Sequence, residues 1–579
     1  MKRYISNLFA GLIMVGLSLP ATSFAQSADQ IFRAAGSPHN PKVDIAFNRY
    51  YTSEGLAEIS KKIATAHPDL VKRVSIGKSY EGRDLWMLQI TNFKKGIADR
   101  KPGFYIDGNI HSNEIQGAEI SIYTAWYLTE NYGDVEYITD MLDNRIFYIV
   151  PTINPDARNH YMQEANTGSS PRSGMMPLDD DRDGLVDEDG LDDLDGDGSV
   201  TSMRRKSEYG DFIVDPLDPR KMLQIGPDDI TTAQRYEMLG SEGIDNDGDG
   251  RVNEDRPGVY DPNRDWAWKW QPDYIQRGAL KYPFSAPENR AVADFVMAHP
   301  NIAGAQSFHN SGGMILRGPG AEEDLATYNR ADLRIYDAIG MKGQKMLPGY
   351  RYLTVYKDLY SVFGGELDWF YGSRGIYTFT NEIFTSFAYY KNERGGRDEG
   401  YDFDRELLAG DAFTPWATYN HPTYGEVEIG GFKKNFGRAT PGFLLEEELH
   451  RNMAFALYHA HHMPKISVDK VTEKDLGGGL REITAVIKND RMMPTHASQD
   501  LKYKIERPDY VTISGVDVQV GMVVEDIDLG LGTEQKVDPA KMVLGSIPGN
   551  SIVTLRWIVS GKGSPKITVD SAKGGVITN

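Results

Sequence analysis

Up to Pro464 the apolar positions of the chain switch between helical and strand spacing. TSEGLAEISKKIATAHPDLV places apolar residues three and four apart, which predicts a helix capped by Thr52 or Ser53. SIGKSYEGRDLWMLQI then predicts two strands around a glycine-containing turn, and KPGFYIDGNI a short apolar strand. EIQGAEISIYTAWYLTENYG reads as a helix closed by Gly133, followed by a strand in NRIFYIVPTI. The rhythm breaks over 157–260, a long insertion rich in glycine and aspartate. It resumes through PENRAVADFVMAH, NIAGAQSFH, DLRIYDAIGMKGQKML and RGIYTFTNEIF, and ends with the helix GFLLEEELHRNMAFALYHAHH. Strands alternating with helices predict an α/β domain over 46–464, with a mixed, mostly parallel sheet and helices on both faces. After Pro464 the pattern changes to short alternating strands with turns between them, predicting an all-β sandwich over 465–579.

Two features of composition sharpen this picture. Lys2 and Arg3 precede an apolar run from Leu8 to Leu19, and ATSFA ends at Ala25, so 1–25 reads as a cleavable signal peptide and the mature chain as secreted or periplasmic. No later segment is long and apolar enough to span a membrane. The formal net charge of −20 argues against a grip on nucleic acid. No cysteine is present, so disulfides are excluded and any additional staple must be of another kind.

Candidate chemistry begins at HSNE, where a predicted strand gives way to a helix. His111 and Glu114, three residues apart, can bind one face of a zinc ion. This is the only H-x-x-E in the chain, although about one is expected by chance among twelve histidines. His309 ends another apolar strand and Glu382 a third, where an acid is costly without a role. Three strand ends carrying these groups describe a metal-dependent hydrolase with a free general base.

The segments HPDLVKRVSIGKSYEGRDLW, GNIHSNE, DPNRDW, SMRRK and YSVFGGELDWFY, in this order, resemble the zinc carboxypeptidases of the carboxypeptidase A type. The resemblance covers roughly Phe47 to Pro464 and implies His111, Glu114 and His309 as zinc ligands, with Asp261 orienting His111. It implies Asn263, Arg264 and Tyr360 as a clamp on the terminal carboxylate of a peptide. It also implies Arg205 as the arginine facing the developing oxyanion, Glu382 as the general base and Leu367 as the specificity residue. Leu367, flanked by Val362 and Thr380, favours apolar C-terminal residues, whereas Glu366 would admit basic ones. Asn113, Asn310 and Ser311 depart from the family pattern. The histidines His459, His461 and His462 read as the charged end of a helix.

The insertion carries a repeat. DDDRDGLVDED (179–189) matches DNDGDGRVNED (245–255), and DLDGDGSVT is a weaker third copy. Hard oxygen ligands at alternate positions before a glycine suit calcium. The expected ligands are Asp179, Asp181, Asp183 and Asp187; Asp245, Asp247, Asp249 and Asn253; and Asp193, Asp195 and Asp197. Because these loops run into Arg205 and into Asn263–Arg264, calcium is expected to hold the oxyanion arginine and the clamp in place. The leading expectation is therefore a secreted zinc carboxypeptidase acting on peptide C-termini. The alternatives are a cell-wall peptide hydrolase of the same fold, or a calcium-stabilised surface-binding protein with an inactive enzyme fold. Nothing in the sequence identifies a partner for the sandwich domain.

Overall fold

The computed structural model describes residues 34–168, 171–179, 184–226, 229–256, 258–391, 396–526 and 528–579. The expected signal peptide and the expected calcium ligands Asp181 and Asp183 lie outside these residues.

An eight-stranded sheet organises the α/β part. Its strands run in the spatial order Val71–Lys78, Asp84–Ile90, Ile146–Val150, Gly103–Gly108, Ile302–Asn310, Tyr377–Ile383, Met314–Arg317 and Arg351–Thr354. The central four are mutually parallel, and the strands next to them on either side, Asp84–Ile90 and Met314–Arg317, run antiparallel to them. Strands Gly103–Gly108, Ile146–Val150 and Ile302–Asn310 are buried at every position. Such strands are covered on both faces, which is why they read as apolar runs and not as an alternation. Helices Ser53–Ala66, Gln116–Glu130, Arg330–Met346 and Gly442–His461 cover one face, and Pro287–Ala298 and Glu366–Arg374 cover the other. Thr52 caps the first of them by accepting from the Gly55 amide.

The helix following the HSNE turn lies unusually close to the sheet. A Cβ on Gly108 would stand 2.4 Å from the Gly117 carbonyl carbon, and one on Gly117 would stand 2.6 Å from the Phe308 oxygen. This pair of glycines lets the turn sit directly over two strand ends.

The helix that ends in the three histidines departs from expectation. His459 is wholly buried between the rings of Phe104 and Phe379. Burial, with His462 nearby, pushes its pKa down to about 3; burial and Arg491 push His461 down to about 4. These rings are neutral at physiological pH, so packing and not the helix dipole accounts for them.

The insertion is not only loop. Strands Ser202–Lys206, Phe212–Val214, Met222–Gln224 and Arg235–Ser241 join the hairpin Phe413–His421 and Gly425–Phe432 in a six-stranded antiparallel sheet. Two segments far apart in sequence thus build one sheet. The C-terminal part forms a five-stranded and a four-stranded sheet around Ile483, Val511, Leu555, Trp557 and Val569. It is fastened to helix Glu366–Arg374: Gln499 donates to the Gly372 carbonyl at 3.0 Å, Lys573 to the Gly375 carbonyl at 3.2 Å, and Arg374 pairs with Glu506. The sandwich therefore braces the helix that begins with Glu366 and Leu367. Among the described residues, no helix is long and apolar enough to cross a membrane.

Candidate active site

Parallel strands deliver their carboxyl ends to one edge of the sheet, where open α/β proteins place their sites. The strand Gly103–Gly108 ends at Asn109, whose amide donates to the His111 carbonyl at 2.7 Å and whose oxygen accepts from Arg158 and Thr152, each at 3.1 Å. This network fixes the turn carrying His111 and Glu114. The next strand supplies His309, and its neighbour supplies Glu382 in direct register with His309.

His111, Glu114 and His309 are 1% exposed and converge. His111 Nδ1 lies 3.0 Å from Glu114 Oε1, His309 Nδ1 lies 2.9 Å from Glu114 Oε2, and the two Nδ1 atoms are 3.2 Å apart. Tetrahedral zinc with bonds near 2.0–2.1 Å holds its ligand atoms about 3.3 Å apart. His111 Nε2 lies 2.9 Å from Asp261 Oδ1, a carboxylate contact of the kind that orients a ligating imidazole, and its Nδ1 faces Glu114 and His309. Two imidazole nitrogens and a carboxylate facing one point fit zinc.

The clamp candidates arrive on the 3₁₀ turn Pro262–Arg264. Arg264 is 7% exposed, lies 3.5 Å from Asp261 Oδ2 and donates to the Asn263 carbonyl at 2.7 Å. Asn263 Oδ1 accepts from the Glu366 amide at 2.8 Å, and the Gly364 carbonyl accepts from the Trp266 amide at 2.9 Å. Gly364, at φ +63°, sits so close that a Cβ would reach the Arg264 carbonyl oxygen at 2.6 Å. These contacts lock the Tyr360–Leu367 loop to the clamp turn. Tyr360 is 57% exposed, and Leu367 packs with Leu316, Val355 and Val362. Beside them Glu366 accepts from Ser307 at 2.9 Å, and burial together with Asp107 holds its carboxyl well above the usual range. Burial and Asp107 thus disfavour the charged form of Glu366.

Glu382 is partly buried, and its pKa is pushed up to about 7 by burial first and the Glu114 carboxylate second. Two arginines, Arg172 and Arg438, bring charge to this group, and neither is Arg205. Arg205 lies in the insertion sheet, where it donates to Glu237 at 2.7 Å and stacks over Tyr424. Arg172 instead lies 3.1 Å from Glu114 Oε1, 3.3 Å from Asp261 Oδ2 and 2.9 Å from His111 Nε2. Its charge also interacts with Glu382 and Tyr360. The expectation for Arg205 is thus not met by its position: strand pairing with Arg235–Ser241 turns it toward Glu237. The signal that was missed is PRSG, an arginine on the near side of the insertion.

The acidic repeats are joined to each other. Asp189 and Asp255, the last residues of the two copies, form an antiparallel bridge with Asp189 N to Asp255 O at 2.9 Å. Both are wholly buried, and Asp255 Oδ1 and Glu254 Oε2 have no hydrogen-bond partner. Ligand atoms of Asp245, Asp247 and Asp249 lie within 4.8 Å of one another, as do those of Asp189, Asp247 and Glu254, and those of Asp193, Asp195 and Glu242. Asp189, Glu254 and Glu242 were not expected: Asp189 comes from the other copy, Glu254 from the end of its own copy, and Glu242 from just after the strand Arg235–Ser241. Asp187, Asn253 and Asp197 are engaged otherwise: Asp187 accepts from the Gly258 amide at 3.1 Å, Asn253 donates to the Glu242 carbonyl at 3.2 Å, and Asp197 accepts from Thr414 at 2.5 Å. Asp179 stands at the edge of the described residues.

Comparison with known proteins agrees with this geometry. The family model for zinc carboxypeptidases matches residues 56–176 and 236–390, and 465–579 match a domain family of unknown function. A carboxypeptidase D of Drosophila melanogaster is 30% identical over 119 residues, 21% of this chain and 8% of that protein. The chain thus spans a small fraction of that relative's length. Carboxypeptidase A1 of Sus scrofa is 23% identical over 359 residues, 62% of this chain and 68% of that one. The crystal structure of thrombin activatable fibrinolysis inhibitor is similar at 17% identity and a TM-score of 0.44, covering 74% of this chain and 79% of the other. With a family match on both sides of the insertion and a His-Glu-His centre that fits zinc, the α/β part of the chain matches the zinc carboxypeptidase family over 56–176 and 236–390.

Proposed function

We propose that the protein is an exported zinc carboxypeptidase that removes the C-terminal residue of peptides, with a preference for apolar ones. The observation that carries this reading is the convergence of His111, Glu114 and His309 beside a buried arginine, Arg264, and a raised carboxyl, Glu382. When bound, zinc supplies a Lewis acid that polarises the scissile carbonyl and acidifies water. Arg264 forms a fork with the terminal carboxylate, and Asn263 and Tyr360 complete the clamp. Arg172 faces the oxygen on which negative charge develops. Glu382 takes a proton from the attacking water and returns it to the leaving amine. Leu367 with Val362 lines the side-chain pocket, and burial beside Asp107 disfavours a charged Glu366 next to it. The N-terminal run from Leu8 to Ala25 supports export.

The test is a peptide panel with free and amidated C-termini. A two-donor contact to a carboxylate is worth about 3 kcal/mol or more, so free termini should be favoured by at least about 10²-fold. C-terminal Leu and Phe should outrun Lys and Arg. Hydrolysis indifferent to amidation would reject the exopeptidase reading, and a preference for Lys or Arg would reassign the pocket to Glu366.

We further propose that the acidic repeats bind calcium through Asp189, Asp247 and Glu254, through Asp245 and Asp249, and through Asp193, Asp195 and Glu242. Support comes from the repeated D-x-D-x-D-G spacing and from the orphaned oxygens of Asp255, in the buried bridge, and of Glu254 beside it. The bridge joins the two chain segments that lead to the site. One runs back from the first repeat to Arg172; the other runs forward from the second repeat to Asp261 and Arg264. Gly174 and Tyr260 pack together where these segments pass. Calcium at a hundred times its Kd would contribute about 2.7 kcal/mol. Chelation with a calcium-selective agent, with zinc content held constant, should therefore lower the melting temperature by several degrees and reduce kcat/KM. An unchanged melting temperature and unchanged activity would reject the calcium sites.

A further inference from the structure

We infer that Arg438 is a second guanidinium of the substrate cleft, which takes a backbone carbonyl of the peptide upstream of the scissile bond. The inference rests on the carboxypeptidase reading above. Arg438 lies outside the residues matched to the family, in the loop that follows the hairpin Phe413–Phe432 and precedes helix Gly442–His461.

The loop is fixed tightly against the site. Asn435, at φ +79°, accepts from Tyr161 through its side chain and from the Arg438 amide through its carbonyl at 3.2 Å. The Lys434 amide donates to Ser199 at 2.9 Å, and the Thr440 amide donates to Gln116, two residues beyond Glu114. The Arg438 carbonyl accepts from the side chain of Asn310, the residue after His309, at 2.8 Å. Backbone on both sides of Arg438 is thereby held to the walls of the metal centre.

The side chain itself is under-used. Its Nη2 lies 3.4 Å from the Asn310 carbonyl and 3.9 Å from Glu114 Oε1, and its Nε is buried without a hydrogen-bond partner. The side chain is 27% exposed, so the guanidinium borders the opening of the site. An arginine offers five N–H donors in a planar fork. Here they meet one long hydrogen bond and one distant carboxylate, although the charge is close enough to act on Glu382. A guanidinium that served only to neutralise Glu114 would close on it as Arg172 does, at 3.1 Å.

Its position selects the ligand. Arg172 and Arg264 both touch Asp261, so the terminal carboxylate and the scissile oxygen are served from that side. Arg438 approaches from Asn310, across the metal ligands. A peptide clamped at its last residue by Arg264 must continue over Glu114 toward that side, and there it presents neutral carbonyl oxygens. The turn bearing the metal ligands offers no cation for them, since Asn113 is buried and uncharged.

The test compares unblocked dipeptides, tripeptides and tetrapeptides sharing the same C-terminal pair, with the full-length zinc-loaded enzyme. A dipeptide has no carbonyl upstream of the scissile bond, whereas a tripeptide has one. Arg438→Met should lower kcat/KM by about 10- to 100-fold more on the two longer substrates than on the dipeptide, with the extra loss chiefly in KM. Arg438→Lys, which keeps the charge but not the fork, should fall between. An equal loss at every length, or no loss at any, would overturn the inference. Glu382→Gln and Arg172→Ala run in the same panel separate the two levels: full activity in both would reject the carboxypeptidase reading itself, whatever Arg438 does.

Discussion

Glu382→Gln should lower kcat by about 10²–10⁴-fold while zinc content and melting temperature stay at wild-type values. The substitution keeps the shape of the side chain and the strand around it and removes only the capacity to hold a proton. Glu382 stands in register with His309 on the adjoining parallel strand, so its carboxyl is delivered to the metal ligands by the sheet and not by a mobile loop. Burial and the neighbouring Glu114 carboxylate raise its pKa to about 7, the range in which a carboxylate is an effective base at neutral pH. A glutamate that served only to pack the strand would be replaced by glutamine with little effect on turnover. Retention of kcat within about tenfold would therefore remove Glu382 from the chemistry and would favour a fold that keeps its metal site without using this base.

The parts of the molecule that sequence made legible are those set by local periodicity or by a covered sheet. Ile302–Asn310 is buried at all positions, and an unbroken apolar run ending in a histidine can be read without coordinates. The HSNE turn is legible for the same reason, because a strand and a helix each announce themselves on either side of it. The six-stranded sheet was not. Its strands in the insertion are three to seven residues long and half-exposed, and the one that joins the hairpin, Ser202–Lys206, pairs with Gly425–Phe432, more than two hundred positions away. Short, amphipathic, non-local strands carry little period, and what decides their pairing is tertiary contact. The histidines at the end of Gly442–His461 failed for a related reason: their charge state follows from Phe104 and Phe379 packing on His459, which no helical position reveals. The acidic repeats were readable as loops, but the bridge between Asp189 and Asp255, and with it the cross-loop grouping of Asp189 with Asp247 and Glu254, exists only once the two copies meet.

The two candidate arginines put that distinction to an experimental test. Arg172→Ala should reduce kcat/KM by about 10²–10³-fold, the usual cost of removing a donor aimed at developing negative charge. Arg205→Ala should leave it within about twofold. Both arginines are about equally exposed, at 38% of the side chain, so solvent access does not distinguish them. Their partners do. Arg205 is paired with Glu237 across an exposed strand, an arrangement worth about 0.2–1 kcal/mol and remote in bonding from every metal ligand. Arg172 lies against Glu114 and Asp261, and its guanidinium is held between a metal ligand and the group that orients another. Because Arg172 also neutralises part of that charge, its removal alone does not separate catalysis from assembly of the centre. Arg172→Lys makes the separation: it keeps a cation beside Glu114 but loses the planar fork. Zinc content should then be preserved while most of the rate loss persists. Full recovery in Arg172→Lys would assign Arg172 to charge balance alone, and a large loss in Arg205→Ala would return the oxyanion role to the insertion sheet.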